Sequence, residues 1–228
     1  GEPYTSIAKK FIELRYQILP YLYTVFEEHT RSGDPILRSL IYLDADDPEC
    51  HNRVEEFGVG PSLLTCPISK PGVEGRWFYP PKGLWYDFWT NEKVLGAEER
   101  WVDVPLESTP LFVRAGTILP LSPVRLSSSV DLPYMELHAY LADEEGEGGL
   151  YEDAGDGYGV SIKKTFKLRD QKLIQTRSGE FQPNYSGYHL IIHGAAWNKF
   201  SIDGGKEMPF ECGKVFEIPE CFELVQFW

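Results

Sequence analysis

The sequence predicts a mainly β protein in which an N-terminal helix plus strand is followed by two antiparallel β-sandwich domains. Three observations predict it. A single helical stripe runs through residues 6–31. Short runs of strand formers, broken by Gly, Pro and Asn, fill the rest. A Ser127-Ser128-Ser129 seam after Leu121-Ser122-Pro123 then separates those runs into two sets. The segmentation that follows is 1–68, 69–126 and 127–228.

The helix rests on Ile7, Phe11, Leu14, Ile18, Leu22 and Val25, which recur at steps of three or four. Pro3 and Ser6 suit its entry, and Gly33 followed by Pro35 its exit. Pro20 removes a backbone donor at mid-length and predicts a kink. Tyr16, Tyr21, Tyr23 and Phe26 widen the apolar surface beyond one stripe, so this helix needs neighbours on more than one side. The run Ile36 to Leu43 is too short for a helix and reads as a buried strand. Asp44 to Glu49 reads as a solvated acidic loop, and Val59 to Ile68 as a Gly/Pro-punctuated apolar stretch.

Helical periodicity then disappears. Strand runs follow at Arg76 to Tyr79, Leu84 to Trp89, Arg100 to Val104 and Leu111 to Arg114. A second set covers Tyr134 to Tyr140, Ile162 to Leu168, Leu173 to Thr176, Tyr188 to His193, Lys199 to Ile202, Val215 to Ile218 and Phe222 to Trp228. Asp203-Gly204-Gly205-Lys206 is a hairpin signal. One helix and one strand cannot cover so apolar a helix. Together with an opening Gly1-Glu2-Pro3-Tyr4 in place of methionine, this reads as the end of something larger: a processed product, a cloned segment or a subunit.

Composition narrows the function. Lys+Arg 22 against Asp+Glu 35 leaves a net charge of −13, which argues against nucleic acid and against an anionic membrane surface. The apolar fraction of 42% is too high for disorder. No apolar run approaches the ~20 residues of a bilayer span, and no leader opens the chain. Cys50, Cys66, Cys212 and Cys221 form no CxxC pair, which speaks against structural zinc and for buried thiols in a reducing, cytoplasmic compartment.

Six blocks, in order, carry a family resemblance. Ile12 to Thr24 (IELRYQILPYLYT) resembles a helix late in the catalytic barrel of family 31 glycoside hydrolases, the α-glucosidase and α-xylosidase group. Asp34 to Leu40 is similar to the following barrel strand, and Phe57 to Ile68 to the segment leaving the barrel. Tyr79 to Thr90 (YPPKGLWYDFWT), Pro110 to Leu121 (PLFVRAGTILPL) and Gly149 to Tyr158 (GLYEDAGDGY) resemble turns and strands of the two C-terminal sandwiches. Ser39 replaces a usual proline, and His51 to Glu56 departs from a stretch richer in Asp and Gln. Past residue 160 only the strand pattern remains.

The resemblance implies that residues 1–68 end a (β/α)8 barrel and that the chain is the C-terminal, non-catalytic part of a retaining α-glycosidase, completing and bracing the barrel. Such enzymes use two carboxylates about 5 Å apart, one as nucleophile and one as acid/base. The family's Trp-x-Asp and Arg-x-His motifs lie N-terminal to this helix, and a whole barrel needs roughly 250 residues. The implied catalytic set within this chain is therefore none, the substrate-binding residues are unknown, and no metal or cofactor is implied. The partner is an N-terminal barrel of the same enzyme, and carbohydrate is reached through it. Without that barrel, the stripe of Ile7, Phe11, Leu14 and Ile18 must be hidden against the sandwich or against another copy.

Every local substitute has a plainer reading beside it. Trp85-Tyr86-Asp87 keeps the Trp-x-Asp skeleton, but a turn aspartate beside packed aromatics is the stronger reading. His29, His51 and His138 lack an Arg-x-His context. His189 and His193 share a strand face, as strand histidines rather than a metal pair. Arg38, on the barrel strand, reads as a core-pairing residue. Glu152, Asp153 and Asp156 around Gly155 and Gly157 invite calcium, but position twelve from Asp153 is Lys164, so the EF-hand pattern fails and a tight turn is preferred. Asn184-Tyr185-Ser186 is a sequon that counts only in a secreted protein. Trp77, Trp85, Tyr86, Trp89 and Trp101 fit either a sandwich core or sugar stacking, which leaves a stand-alone carbohydrate-binding module as the alternative function.

Overall fold

The computed structural model describes residues 1–127, 130–155 and 158–228. Ser128 and Ser129 of the predicted seam, and Asp156 and Gly157 of the Gly-rich turn, lie outside the described residues. The chain is mainly β, as predicted, and forms two compact units, one of Gly1–Ile7 with Glu28–Ala115 and one of Ala8–Glu27 with Gly116–Trp228.

Helix α1 (Tyr4–Ser32) opens the chain, and Pro20 lies within it without ending it. Gly33 closes it in the left-handed region, at φ 79°, donating its N–H to His29 O. Unit 1 then holds β1 (Leu37–Ser39), the single turn α2 (Leu40–Leu43), β2 (Phe57–Val59), β3 (Leu63–Thr65), β4 (Gly75–Phe78), β5 (Leu84–Asp87), β6 (Lys93–Leu95), β7 (Arg100–Asp103) and β8 (Leu111–Arg114). The expected strand over 36–43 is thus only half strand. Ser39, extended at φ −60° and ψ 157°, stands before α2, whose Leu40 is fully buried. An antiparallel sheet runs β1-β2-β3-β8-β5-β6, joining strands on both sides of residue 68, and β4 and β7 form a separate ribbon. The core gathers Leu40, Leu64, Phe78, Trp85 and Phe112, with Phe78 and Phe112 stacked 4.5 Å apart.

Unit 2 holds β9 (Thr117–Leu121), β10 (Met135–Tyr140), β11 (Gly146–Asp153), β12 (Ser161–Arg169), β13 (Lys172–Gly179), β14 (Gly187–His193), β15 (Lys199–Ile202), β16 (Met208–Pro209), β17 (Val215–Pro219) and β18 (Leu224–Phe227). They form one ten-stranded sheet ordered β16-β15-β18-β13-β12-β11-β9-β10-β14-β17. It is not wholly antiparallel, because β10 pairs parallel with β14 over six residues. One hydrophobic cluster draws on strands from across the sheet, from Ile118 and Leu137 to Phe200 and Val225. That fits a sheet folded over one core in the manner of a β-sandwich.

The docking of α1 is set by its proline. A proline at position 20 leaves the Tyr16 carbonyl without its helical donor. Ser122, fully buried just past β9, fills the gap: its Oγ donates to Tyr16 O at 2.8 Å and its N–H to Gln17 O at 2.8 Å. One turn on, Thr24 Oγ1 donates to Pro20 O and accepts the N–H of Tyr151 in β11, both at 2.9 Å. Tyr23 adds a 2.7 Å bond to Asp153. Leu14, Tyr21 and Val25 are buried along this side, and Phe11, Ile18 and Leu22 of the predicted stripe are half-buried. Among the described residues no helix is long and apolar enough to cross a membrane.

Candidate functional site

A helix advancing about 100° per residue puts Ile12, Leu19, Tyr23 and Phe26 on one side of α1, away from Leu14, Tyr21 and Val25. Of these, Ile12 is 57% and Phe26 51% exposed, and Leu19 is half-buried. The helix therefore carries a docked face and a second apolar side, on which Ile12 and Phe26 are exposed while Tyr23 reaches back to Asp153. In unit 1, β1 is an edge strand whose Leu37 is exposed, followed by exposed Ile41 and Tyr42. An edge that pairs on one side only still has hydrogen-bonding capacity to offer.

Beneath that edge, Arg38 is nearly buried. Its Nε donates to Pro35 O at 2.9 Å and its guanidinium lies 5.4 Å from the Tyr42 ring centroid. The Tyr42 hydroxyl and Ser32 Oγ both donate to the Asp34 carboxylate, holding its pKa below the usual range. Arg38 is thus engaged by its own loop.

The other sequence candidates fall into internal roles. Asp87 Oδ1 accepts the N–H groups of Trp89 and Thr90 at 2.8 and 2.9 Å, capping the turn after β5. Trp85 and Tyr86 are fully buried, and Trp89 Nε1 donates to Thr109 O. Trp77 and Trp101 are the exposed pair. The acidic loop is less solvated than its sequence suggests. Asp47 accepts from Tyr79 Oη at 2.6 Å, and Asp44 from Lys82 N at 3.2 Å. The Tyr79 bond and the Glu49 N–H hold Asp47 below the usual carboxylate range. Cys50 and Cys66 are buried, and burial raises each thiol to about 12, whereas Cys212 and Cys221 are exposed, against expectation. Asn184 donates to Asp131 Oδ1 at 2.8 Å.

Two clusters in unit 2 come from residues the sequence gives little reason to pair. Lys164, fully buried in β12, ion-pairs with Glu152 and Glu220 at 2.7 Å each and donates to Tyr185 Oη at 2.8 Å. Its register among Ile162, Phe166 and Leu168 was the available signal, a lysine at an inward position of an alternating strand. Burial alone would raise Glu220, but bonds from Cys221 and Lys164 and the charges of Lys164 and Arg177 pull its carboxyl below the ordinary value. Glu152 and Glu220 therefore form a cation-compensated pair. A retaining acid/base needs the opposite, a carboxyl raised toward neutrality and open to a sugar.

The second cluster is histidine-rich. His189 and His193 do share a face, and β10 brings His138 onto it, with His138 Nδ1 3.3 Å from His193 Nε2. Tyr140 stacks on His193 at 4.4 Å and Tyr134 on His189 at 3.5 Å. Burial, helped by His138, lowers His193 to about 4, so its ring is neutral at pH 7. Among the described residues no three His, Cys, Asp or Glu side chains converge as a metal cradle.

Known proteins match this chain along its length. Residues 33–119 match the glycosyl hydrolase family 31 C-terminal domain. Alpha-glucosidase 2 of Bacillus thermoamyloliquefaciens is 33% identical over 91% of the chain, and the alpha-xylosidase of Saccharolobus solfataricus 34% identical over 68%. A family 31 dextranase from Flavobacterium johnsoniae, solved with glucose, aligns with a TM-score of 0.81 over 91% of the chain at 28% identity. The chain spans 27%, 21% and 28% of these three proteins' own lengths.

Proposed function

We propose, on the premise that this chain is the C-terminal part of a family 31 glycosyl hydrolase, that it is the non-catalytic segment of a retaining α-glycosidase and that it completes and braces the barrel performing the chemistry. In the complete enzyme, a nucleophilic carboxylate attacks the anomeric carbon of a terminal α-linked glucoside or related sugar, and a second carboxyl protonates the leaving oxygen and then activates water. Both groups would come from the barrel.

The observation that carries this reading is the second apolar face of α1. A helix packed on one side by its own unit, with Ile12 and Phe26 exposed on the other, suits a helix sandwiched between a C-terminal sheet and a barrel wall. The exposed apolar edge at Leu37, Ile41 and Tyr42 supports it. The carbohydrate-module alternative loses Trp85 and Trp89, which serve the fold of unit 1.

The test uses the chain alone. It should hydrolyse 4-nitrophenyl α-glucoside no faster than buffer. It should also bind an apolar dye and associate as concentration rises in sedimentation, and Ile12→Lys should reduce both. Clear turnover would overturn the upstream location of the catalytic groups. A compact monomer that binds no dye would remove the barrel-facing role of α1.

A further inference from the structure

The β4–β7 ribbon carries two tryptophans that its own packing leaves half in solvent. Trp77 and Trp101 are directly paired across the ladder, 55% and 53% exposed, with centroids 5.8 Å apart and planes at 78°. Gly75 and Asp103 form the pair two residues along, on the same face. These four residues make a built surface. A Cβ at Gly75 would lie 2.4 Å from the Trp101 indole, so the missing side chain is what lets that ring lie down on the ribbon. Asp103 Oδ1 then accepts the Trp101 Nε1–H at 3.0 Å. One indole is held from beneath and by its N–H, and a second stands at a steep angle beside it. Among the described residues the other Asp103 oxygen has no hydrogen-bond partner.

Two fixed aromatic planes beside an open carboxylate acceptor suit a chain of pyranose rings. The C–H faces of the sugar stack on the indoles and its hydroxyls donate to the carboxylate, at low ordering cost because the rings are already placed. A protein partner fits less well, since covering Asp103 with apolar side chains would bury an uncompensated charge. We infer that the Trp77–Trp101–Asp103 face is a binding site for α-linked glucan. The choice of an α-glucan rests on the proposed function; the stacking chemistry does not.

Affinity electrophoresis of the 228-residue chain through gels containing soluble starch or dextran tests it without requiring turnover. Retardation in at least one polymer is expected, with about tenfold weaker binding in Trp77→Ala and recovery of most of it in Trp77→Tyr. Gly75→Ala, which lifts the Trp101 ring without reaching the ligand, should also weaken binding, while circular dichroism stays unchanged in Trp77→Ala. The assignment falls if the chain runs freely in both polymers, or if Trp77→Ala and Trp101→Ala are retarded as before. It falls too if those variants alter only sedimentation, which would make the face a protein contact. A negative gel leaves the bracing role of α1 standing, because that role is read from hydrolysis and dye binding.

Discussion

In unit 1 the most buried carboxylate, Glu56, is met by two arginines that reach it loosely, Arg53 at 3.6 Å and Arg76 at 3.5 Å, and by the Tyr79 N–H at 3.2 Å. In unit 2 the buried ammonium of Lys164 is met tightly, by two carboxylates at 2.7 Å and a phenol at 2.8 Å. The arginines of unit 1 are also shared outward, since Arg53 pairs with Glu49 and Glu99. The consequences have opposite sign. Burial outweighs the partners of Glu56 and raises its carboxyl, while the partners of Glu220 outweigh burial and lower it. Burial depth alone does not decide the state of a charged group; the reach and commitment of its partners do.

Removing the centre of the tighter cluster is the strongest way to break the comparison. Lys164→Met leaves Glu152 and Glu220 facing each other across an apolar side chain of similar length, with Arg177 at 2.8 Å from Glu220 the one remaining cation of the cluster among the described residues and the Tyr185 hydroxyl still donating to Glu152. A loss of about 3–5 kcal/mol is expected in urea denaturation, the range seen when one partner of a buried ion pair is deleted. Hydrogen exchange should place the loss in β11 to β13 and β17. A cost no larger than that of removing the Glu56 charge would show that the two clusters are equivalent.

Acid should separate the units next. The folded pKa of His193, about 4, lies below the ordinary 6.5, so the unfolded chain takes up this proton first as pH falls. The stabilisation is whole above pH 6.5 and is lost as pH falls from there toward 4. Of the order of 2–3 kcal/mol is at stake across that window. His138 and Tyr140 touch the His193 ring, Glu136 lies beyond His138, and His189 with Tyr134 stands on the same face. Glu220, with its lowered carboxyl, adds a further loss below about pH 4.5 of the same sign. His193→Gln should flatten the upper part of the profile; an unchanged slope between pH 6.5 and 5 would assign the acid sensitivity elsewhere.

What the sequence made legible follows the same physics. The α1 stripe, most strands and the Asp87 turn were readable because each depends on local periodicity or on a short-range hydrogen bond. β11 was not: no strand is expected between Tyr140 and Ile162, where Gly149 to Tyr158 resembles a turn. In the fold, Gly148 is a strand residue whose Cβ would sit 1.9 Å from Ile118 O, so glycine marks a close crossing. The Lys164 and His138–His193 clusters join residues far apart in sequence through strand order, including a parallel pair that no local pattern encodes. The covering of α1 by Ser122 was half visible. Pro20 announced an unsatisfied carbonyl, and only the fold names the residue that satisfies it.

The smallest expected effect discriminates most finely between the two units. Glu56→Gln keeps an acceptor for the Tyr79 N–H and removes the charge that burial penalises. Because the folded carboxyl is raised above its unfolded value, the folded state holds its proton more readily. Stability of the wild type therefore falls as pH rises through the window above about 4.5 and is regained as pH falls back. The glutamine variant lacks that slope. At pH 7 it should lie within about 1 kcal/mol of wild type, since it trades two long ion pairs for relief from desolvation. The difference between the two proteins should tilt toward the variant at high pH and toward wild type near pH 4.5. A variant that loses several kcal/mol at pH 7, as expected for Lys164→Met, would mean that Arg53 and Arg76 bind Glu56 as firmly as Glu152 and Glu220 bind Lys164, and the contrast between a loosely and a tightly held charge would be gone.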